Sequence, residues 1–266
     1  GVFAVYAISF VSFVPSSLVS VLAGLAMINV YSDTPWLIPK DPACLIGLFR
    51  RLGHPVAFKA RESVNFGIEQ KAYLVEKGLI ATFADGLGQS DRLMAIFGPG
   101  SVFGAEKSLK GAFSTKPLIA RALIQVEGFA LDAAQFKREL EADQALCLQA
   151  LHAFIRHDDA KIEGLLVNGL APVPERLARV IEVIFAATGQ QLDDFPRCLP
   201  RPVSVTELAR MTHSDRAVVS RILSAWERRG LIEKTAGVYR YSRRLLQAAG
   251  SGELEARQPH PDEALK

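Results

Sequence analysis

Cysteine is scarce in this chain: Cys44, Cys147 and Cys198 are the three among 266 residues, and no CxxC or CxxH spacing joins them. That distribution suggests neither a disulfide framework nor a zinc or iron-sulfur cluster, so no metal is expected and a reducing cytosol is the default compartment. Catalytic signatures are missing as well. There is no P-loop, no HExxH, no GxGxxG and no Ser-His-Asp order in a supporting context, and the expectation is a protein that is not an enzyme. Charge is absent from the first 32 residues, a stretch long enough to cross a bilayer. Pro15 interrupts it, no basic region precedes it, and its β-branched and aromatic residues suit buried strands as well as a helix. A packed hydrophobic extension over residues 1–40 is therefore preferred to a membrane anchor, with a membrane-tethered ligand-sensing module as the alternative.

What is present is apolar material and an uneven charge. At 49% hydrophobic residues the chain can build two compact domains and an element joining them. Between Arg197 and Arg244 eleven Lys/Arg face four Asp/Glu, a local charge of +7 within a chain of net +3. A positive field concentrated in one C-terminal segment points to an anionic partner.

Residues 41–135 consist of short apolar segments punctuated by turn signals, as in Gly53-His54-Pro55, Lys77-Gly78, Asp85-Gly86 and Gly98-Pro99-Gly100. Strands are expected near residues 72–76, 79–83, 92–97 and 119–124, which argues for an antiparallel sandwich or jelly-roll-like β-roll. From Asp132 the period becomes helical. Leu148, Leu151, Ile155, Ile162 and Leu165 follow 3-4-7-3 steps, the seam of a helix over residues 136–170 that packs either on a partner helix or on its own β-domain. His152, His157, Asp158 and Asp159 lie on or near that seam as solvated residues or as a switch site. The run from Asn168 to Pro174 breaks the helix and serves as hinge, and an amphipathic helix restarts at Glu175.

The most specific segment is PVSVTELARMTHSDRAVVSRILSAWERRGLI within residues 171–248. Ser204 and Glu207 make an S-x-x-E capping box ahead of a short helix carrying Thr206, Thr212-His213-Ser214 supply a turn with Ser214 able to cap the next helix, and Ser204, Thr206 and Ser214 are also candidate DNA-binding residues. That helix buries Val219, Ile222, Leu223 and Trp226 and leaves Arg216, Ser220 and Arg221 together on its outer surface. Arginine there can donate two bonds to guanine O6 and N7. Residues 231–241 read as a hairpin wing with Gly237 in the turn and Lys234 and Arg240 near phosphates. A polar tail, 249–266, follows.

These features resemble the CRP/FNR family of bacterial transcription regulators over residues 45–245: the β-roll with AYLVEKGLIATF and IFGPGSVFGAEKSL, a long dimer helix, a hinge before ERLARVI, and SDRAVVSRIL as the start of the recognition helix. The resemblance implies an α+β homodimer in the cytoplasm that binds a near-palindromic site on double-stranded DNA, works with RNA polymerase and senses a small molecule or redox signal. Arg216, Ala217, Ser220 and Arg221 match the positions that face bases; Ala217 departs from the usual Glu, so the target site should differ from the family's best-known half-sites.

The effector match is weaker. Where cyclic-nucleotide binders carry Gly-Glu and Arg-Ser pairs, this chain has Gly104-Ala105, with Glu106 displaced by one, and Lys116-Pro117; the purine-facing hydroxyls fall at Lys161 and Ile162. The resemblance thus argues against cAMP. Haem through His54, His152 or His157 stays open, as does a roll that is only scaffold. The working expectation is another small molecule bordered by Phe103, Gly104, Ala105, Glu106, Lys116, Arg121 and Lys161.

Overall fold

A computed structural model of the chain describes residues 34–64, 70–86, 89–106, 118–201, 203–251 and 254. The charge-free N-terminus, Lys116, Pro117 and most of the C-terminal tail lie outside the described residues. Two antiparallel four-stranded sheets make the expected β-roll. One runs β1-β8-β3-β6, with β1 His54–Phe58, β3 Lys71–Lys77, β6 Val102–Phe103 and β8 Val126–Asp132. The other runs β2-β7-β4-β5, with β2 Ser63–Val64, β4 Ile80–Gly86, β5 Gln89–Phe97 and β7 Leu118–Ala122.

Side chains alternate across a strand, and β3 is buried on both faces. Tyr73 and Val75 join Ile80, Phe97 and Ala120 of the opposite sheet in one core cluster. Ala72 and Leu74 join Leu48, Phe49 and Phe136 in another, beneath helices. The first of these helices, α1 (Ala43–Leu52), was not foreseen; it buries Leu45, Leu48 and Phe49 at steps of three and one, and carries Arg50 and Arg51 in its last turn, where they oppose the negative end of the helix dipole.

The helical stretch after the roll is two helices, α2 (Ala133–Ala142) and α3 (Gln144–Leu170). Asp143 separates them because its side chain accepts from the Leu146 amide at 3.0 Å and so caps α3. The inner face of α3 consists mostly of small residues, with Ala150, Ala153, His157, Ala160, Gly164 and Val167 buried at 3-4 steps. Leu148, Leu151, Ile155, Ile162 and Leu165 lie on the other side, 41–55% exposed. The apolar seam is therefore not covered by the chain's own β-domain. Trp36 is fully buried against Gly164, where a Cβ would run into its indole, and its amide donates to the Ala160 carbonyl at 3.0 Å. The same residue accepts from the Ile96 amide at 2.7 Å, so the segment before α1 ties β5 to α3.

The break falls later than the glycine suggested: Gly169 stays helical, and the chain turns at Ala171 and Pro172 before α4 (Val173–Ala187). Pro174 is accepted in the first turn, where its missing amide has no partner to lose. α4 buries Leu177, Val180, Ile181, Ile184 and Phe185 as the spine of the C-terminal domain. Around it lie β9 (Arg197–Cys198), α5 (Val205–Met211), α6 (Arg216–Arg228), β10 (Ile232–Thr235), β11 (Val238–Tyr241) and α7 (Arg243–Gly250). No helix among the described residues is long and apolar enough to cross a membrane.

Candidate nucleic-acid interface

The turn between α5 and α6 is built by local hydrogen bonds. Ser204 Oγ accepts from the Glu207 amide at 3.3 Å, the first half of the capping box. The Glu207 carboxylate is buried and directed at Arg121 of β7, 3.6 Å away. Leu208, Ala209 and Met211 turn inward, and Val205 is half-buried. Thr212 donates to the Leu208 carbonyl at 2.8 Å, the Ser214 amide donates to Ala209 at 2.9 Å, and His213 between them takes φ 49°. This left-handed residue reverses the chain in the fewest residues. Ser214 is not the cap of α6: that place belongs to Asp215, whose side chain makes no cap bond.

α6 buries Val219, Leu223 and Trp226, with Ile222 half-buried. Arg216, Ala217 and Arg221 are exposed and Ser220 is half-buried, which places the four on one outer face near the N-terminal end. Two flexible guanidinium groups beside a methyl-sized gap can reach base edges in a major groove.

The wing follows. β10 and β11 pair with Thr235 opposite Val238, leaving Ala236 and Gly237 as a two-residue turn at φ 50° and 79°. Positive φ at both positions is the type I′ geometry that matches strand twist. Lys234 is exposed, its Nζ 4.9 Å over the Tyr239 ring. Arg240 differs from expectation: it is half-buried and its guanidinium donates to the Pro196 carbonyl at 3.2 and 3.0 Å, so it braces β9 rather than extending toward phosphates. A cleft of about 490 Å³ between the wing and the start of α5 includes Arg201, Ser204, Thr235 and Tyr239 in its lining. Arg201 and Tyr239 were not singled out from the sequence, because only folding brings them beside Ser204; Thr206 is exposed next to the cleft's Val205.

The residues expected around an effector separate into three places. Lys161 Nζ donates to both Glu106 carboxylate oxygens at 2.7 Å and to Asp158 at 3.0 Å. Phe103 is in the core, its ring stacked on Tyr73 with centroids 4.8 Å apart; Ala105 is buried and Gly104 takes φ 81°. Arg121 faces Glu207 of α5. Of the histidines, His54 and His152 are exposed, whereas His157 is buried with its nitrogens toward Asp41 at 3.2 Å and Glu106 at 3.6 Å. His157 thus faces two carboxylates and offers no nitrogen to a haem iron in this geometry. Among the described residues no group of three or more His, Cys, Asp or Glu is arranged to hold a metal ion.

The fold and this face define the class: a β-roll carrying a winged helix-turn-helix. Residues 175–249 match the family model of the Crp-like helix-turn-helix domain. Three solved structures share the architecture. The c-di-GMP responsive global regulator CLP of Xanthomonas campestris aligns with TM-score 0.60 at 17% identity, over 76% of this chain and 99% of its own. FixK2 of Bradyrhizobium japonicum gives 0.57 at 15%, over 77% and 98%. A CRP/FNR-family transcriptional regulator of Thermus thermophilus gives 0.52 at 21%, over 74% and 98%. No curated protein matches the sequence. The chain carries a Crp-like helix-turn-helix domain on the fold of the CRP/FNR regulators, and the family resemblance and fold class read from the sequence are borne out.

Proposed function

We propose that the chain is a sequence-specific, homodimeric DNA-binding transcription regulator. The observation that carries this is the exposed Arg216, Ala217, Ser220 and Arg221 face on α6 of a Crp-like helix-turn-helix. Lys234 and the cleft with Arg201, Ser204 and Tyr239 supply phosphate contacts beside it, with Thr206 at the cleft's edge. Residues 41–135 are the sensor, 136–170 the dimer helix and 171–248 the DNA-binding domain, with 1–40 an extension and 249–266 a tail. The exposed seam of α3 suits a second copy of the chain, since leucine and isoleucine at heptad steps bury best against the same pattern. Two recognition helices about 34 Å apart then read a near-palindrome. A small-molecule or redox signal shifts the roll on the dimer helix, the turn at Ala171–Pro172 reorients the DNA-binding domains, and RNA polymerase is the downstream partner in the cytoplasm.

Fluorescence anisotropy tests the reading with DNA from upstream of the chain's own gene against shuffled DNA, across a salt series and with cell extract. Tighter binding to the native fragment, with a steep salt slope, is expected. Equal, weak binding to specific and shuffled DNA, including fragments selected from a random pool, would overturn it.

A further inference from the structure

His157 sits where three parts of the molecule meet. It lies on the inner face of α3 and is 2% exposed. Its Nε2 is 3.2 Å from Asp41 Oδ1, in the segment ahead of α1, and its Nδ1 is 3.6 Å from Glu106 Oε1, just beyond β6. The second oxygen of Asp41 accepts from the Val102 amide at 2.6 Å, which fixes that carboxylate on β6. Lys161, one turn along α3, holds Glu106 and also Asp158, which is mostly exposed. Phe97 and Phe154 close the ring's surroundings edge-on, with centroids 6.4 and 5.9 Å away. The charged groups around the imidazole are thus Asp41, Glu106 and Lys161, with Asp158 on the outer side of the lysine.

Charge decides what this cluster can do. Lys161 compensates one carboxylate and shares itself with Asp158, so a neutral His157 leaves an uncompensated negative charge on side chains that include the fully buried Asp41. Nε2 and Asp41 Oδ1 are in ion contact without the alignment of a hydrogen bond, which makes the attraction depend on the imidazole's charge. A neutral imidazole would hold Asp41 poorly.

We propose that His157 is a proton-sensitive brace: as imidazolium it clamps the N-terminal segment and the roll onto α3, and losing the proton loosens α3 and weakens operator binding. The relay to DNA rests on the regulator reading above. It is direct, because α3 carries the exposed seam on its far side and runs into the turn at Ala171–Pro172. Burial works against the charged ring, but the flanking Asp41 and Glu106 carboxylates outweigh it and hold the imidazole above its ordinary value. Because the folded value is raised, the stabilisation is full below the unfolded value of about 6.5 and is lost as pH rises through the folded one.

The test uses the full chain and its His157→Gln variant. Thermal melts of both are compared from about pH 5.5 to 8.5, starting below the ordinary histidine value of about 6.5. The wild type should exceed the variant most at the acid end, and the gap should close with rising pH. Operator affinity should fall about tenfold more for wild type than for the variant across that range, a coupling of ordinary allosteric size. NMR titration of the His157 ring in the wild type keeps the proposal decidable if the variant fails to fold: a midpoint above the ordinary histidine value supports it. A ring that titrates at or below that value, or melts with parallel pH profiles, would overturn the brace. Failure to bind any DNA specifically while the melts still converge would overturn the regulator reading and the relay, and leave the brace supported.

Discussion

Arg121 on the roll and Glu207 in the first helix of the helix-turn-helix approach to 3.6 Å at a largely buried contact between the two parts of the molecule. Neighbouring contacts make it one docked surface. Asn168 donates to the Leu93 carbonyl at 3.0 Å, Arg176 donates to the Asn168 carbonyl at 2.9 Å, and Gly98 comes so close to α4 that a Cβ would lie 2.8 Å from the Ala187 carbonyl. Glu207 carries one carboxylate oxygen, and Arg121 its Nε, buried without a hydrogen bond. Removing the arginine should therefore cost more than the pair contributes. Arg121→Ala is expected to destabilise by about 1–3 kcal/mol, less than a fully buried pair because Arg121 keeps some solvent, and Arg121→Met with Glu207→Gln should recover most of it. Urea melts in a double-mutant cycle measure the coupling. A coupling near zero would reduce the contact to coincidence.

Arg221 is exposed on the outer face of α6. Arg221→Ala should weaken operator binding by about 1–3 kcal/mol while leaving shuffled DNA nearly unaffected. Anisotropy on both DNAs separates base contact from phosphate contact, since equal losses would assign the side chain to the backbone.

Leu151 and Ile155 are 53% and 51% exposed on α3. Replacing both with Glu should weaken self-association by about 100-fold, or about 2.7 kcal/mol, because charge would be buried between the copies. Sedimentation velocity reads the change. Circular dichroism of dilute samples should show the helices intact, since these side chains support little within one chain.

Gly164 lies beneath the Trp36 indole. Gly164→Val should cost about 1–3 kcal/mol or more by overpacking, and it should free the segment that joins β5 to α3. Limited proteolysis ahead of Ala43, compared with a Gly169→Ala control at a glycine with no neighbour in reach, checks the effect.

Much of the architecture was legible because it is written in local periods. Strands at 71–77, 80–86, 89–97 and 118–122 followed short apolar runs between turns, and Ser204 capped its helix as its side chain dictates. The outer face of α6 was legible too, since Val219, Leu223 and Trp226 fix which side is buried. Helix α1 was not, because its short amphipathic pattern precedes a glycine-rich β-region and read as part of it.

The sequence alone determined where many of the strands and helices lie, which α6 side chains point outward and where positive charge concentrates, since each depends on neighbours within a turn or two. Tertiary structure decided the partners of charged groups. It gave Glu207 to Arg121 and the Arg240 guanidinium to Pro196, and it enclosed His157 between Asp41 and Glu106. Ion pairs between residues distant in sequence leave no periodic trace, because a long side chain reaches whichever opposite charge the packed backbone brings within a few ångströms.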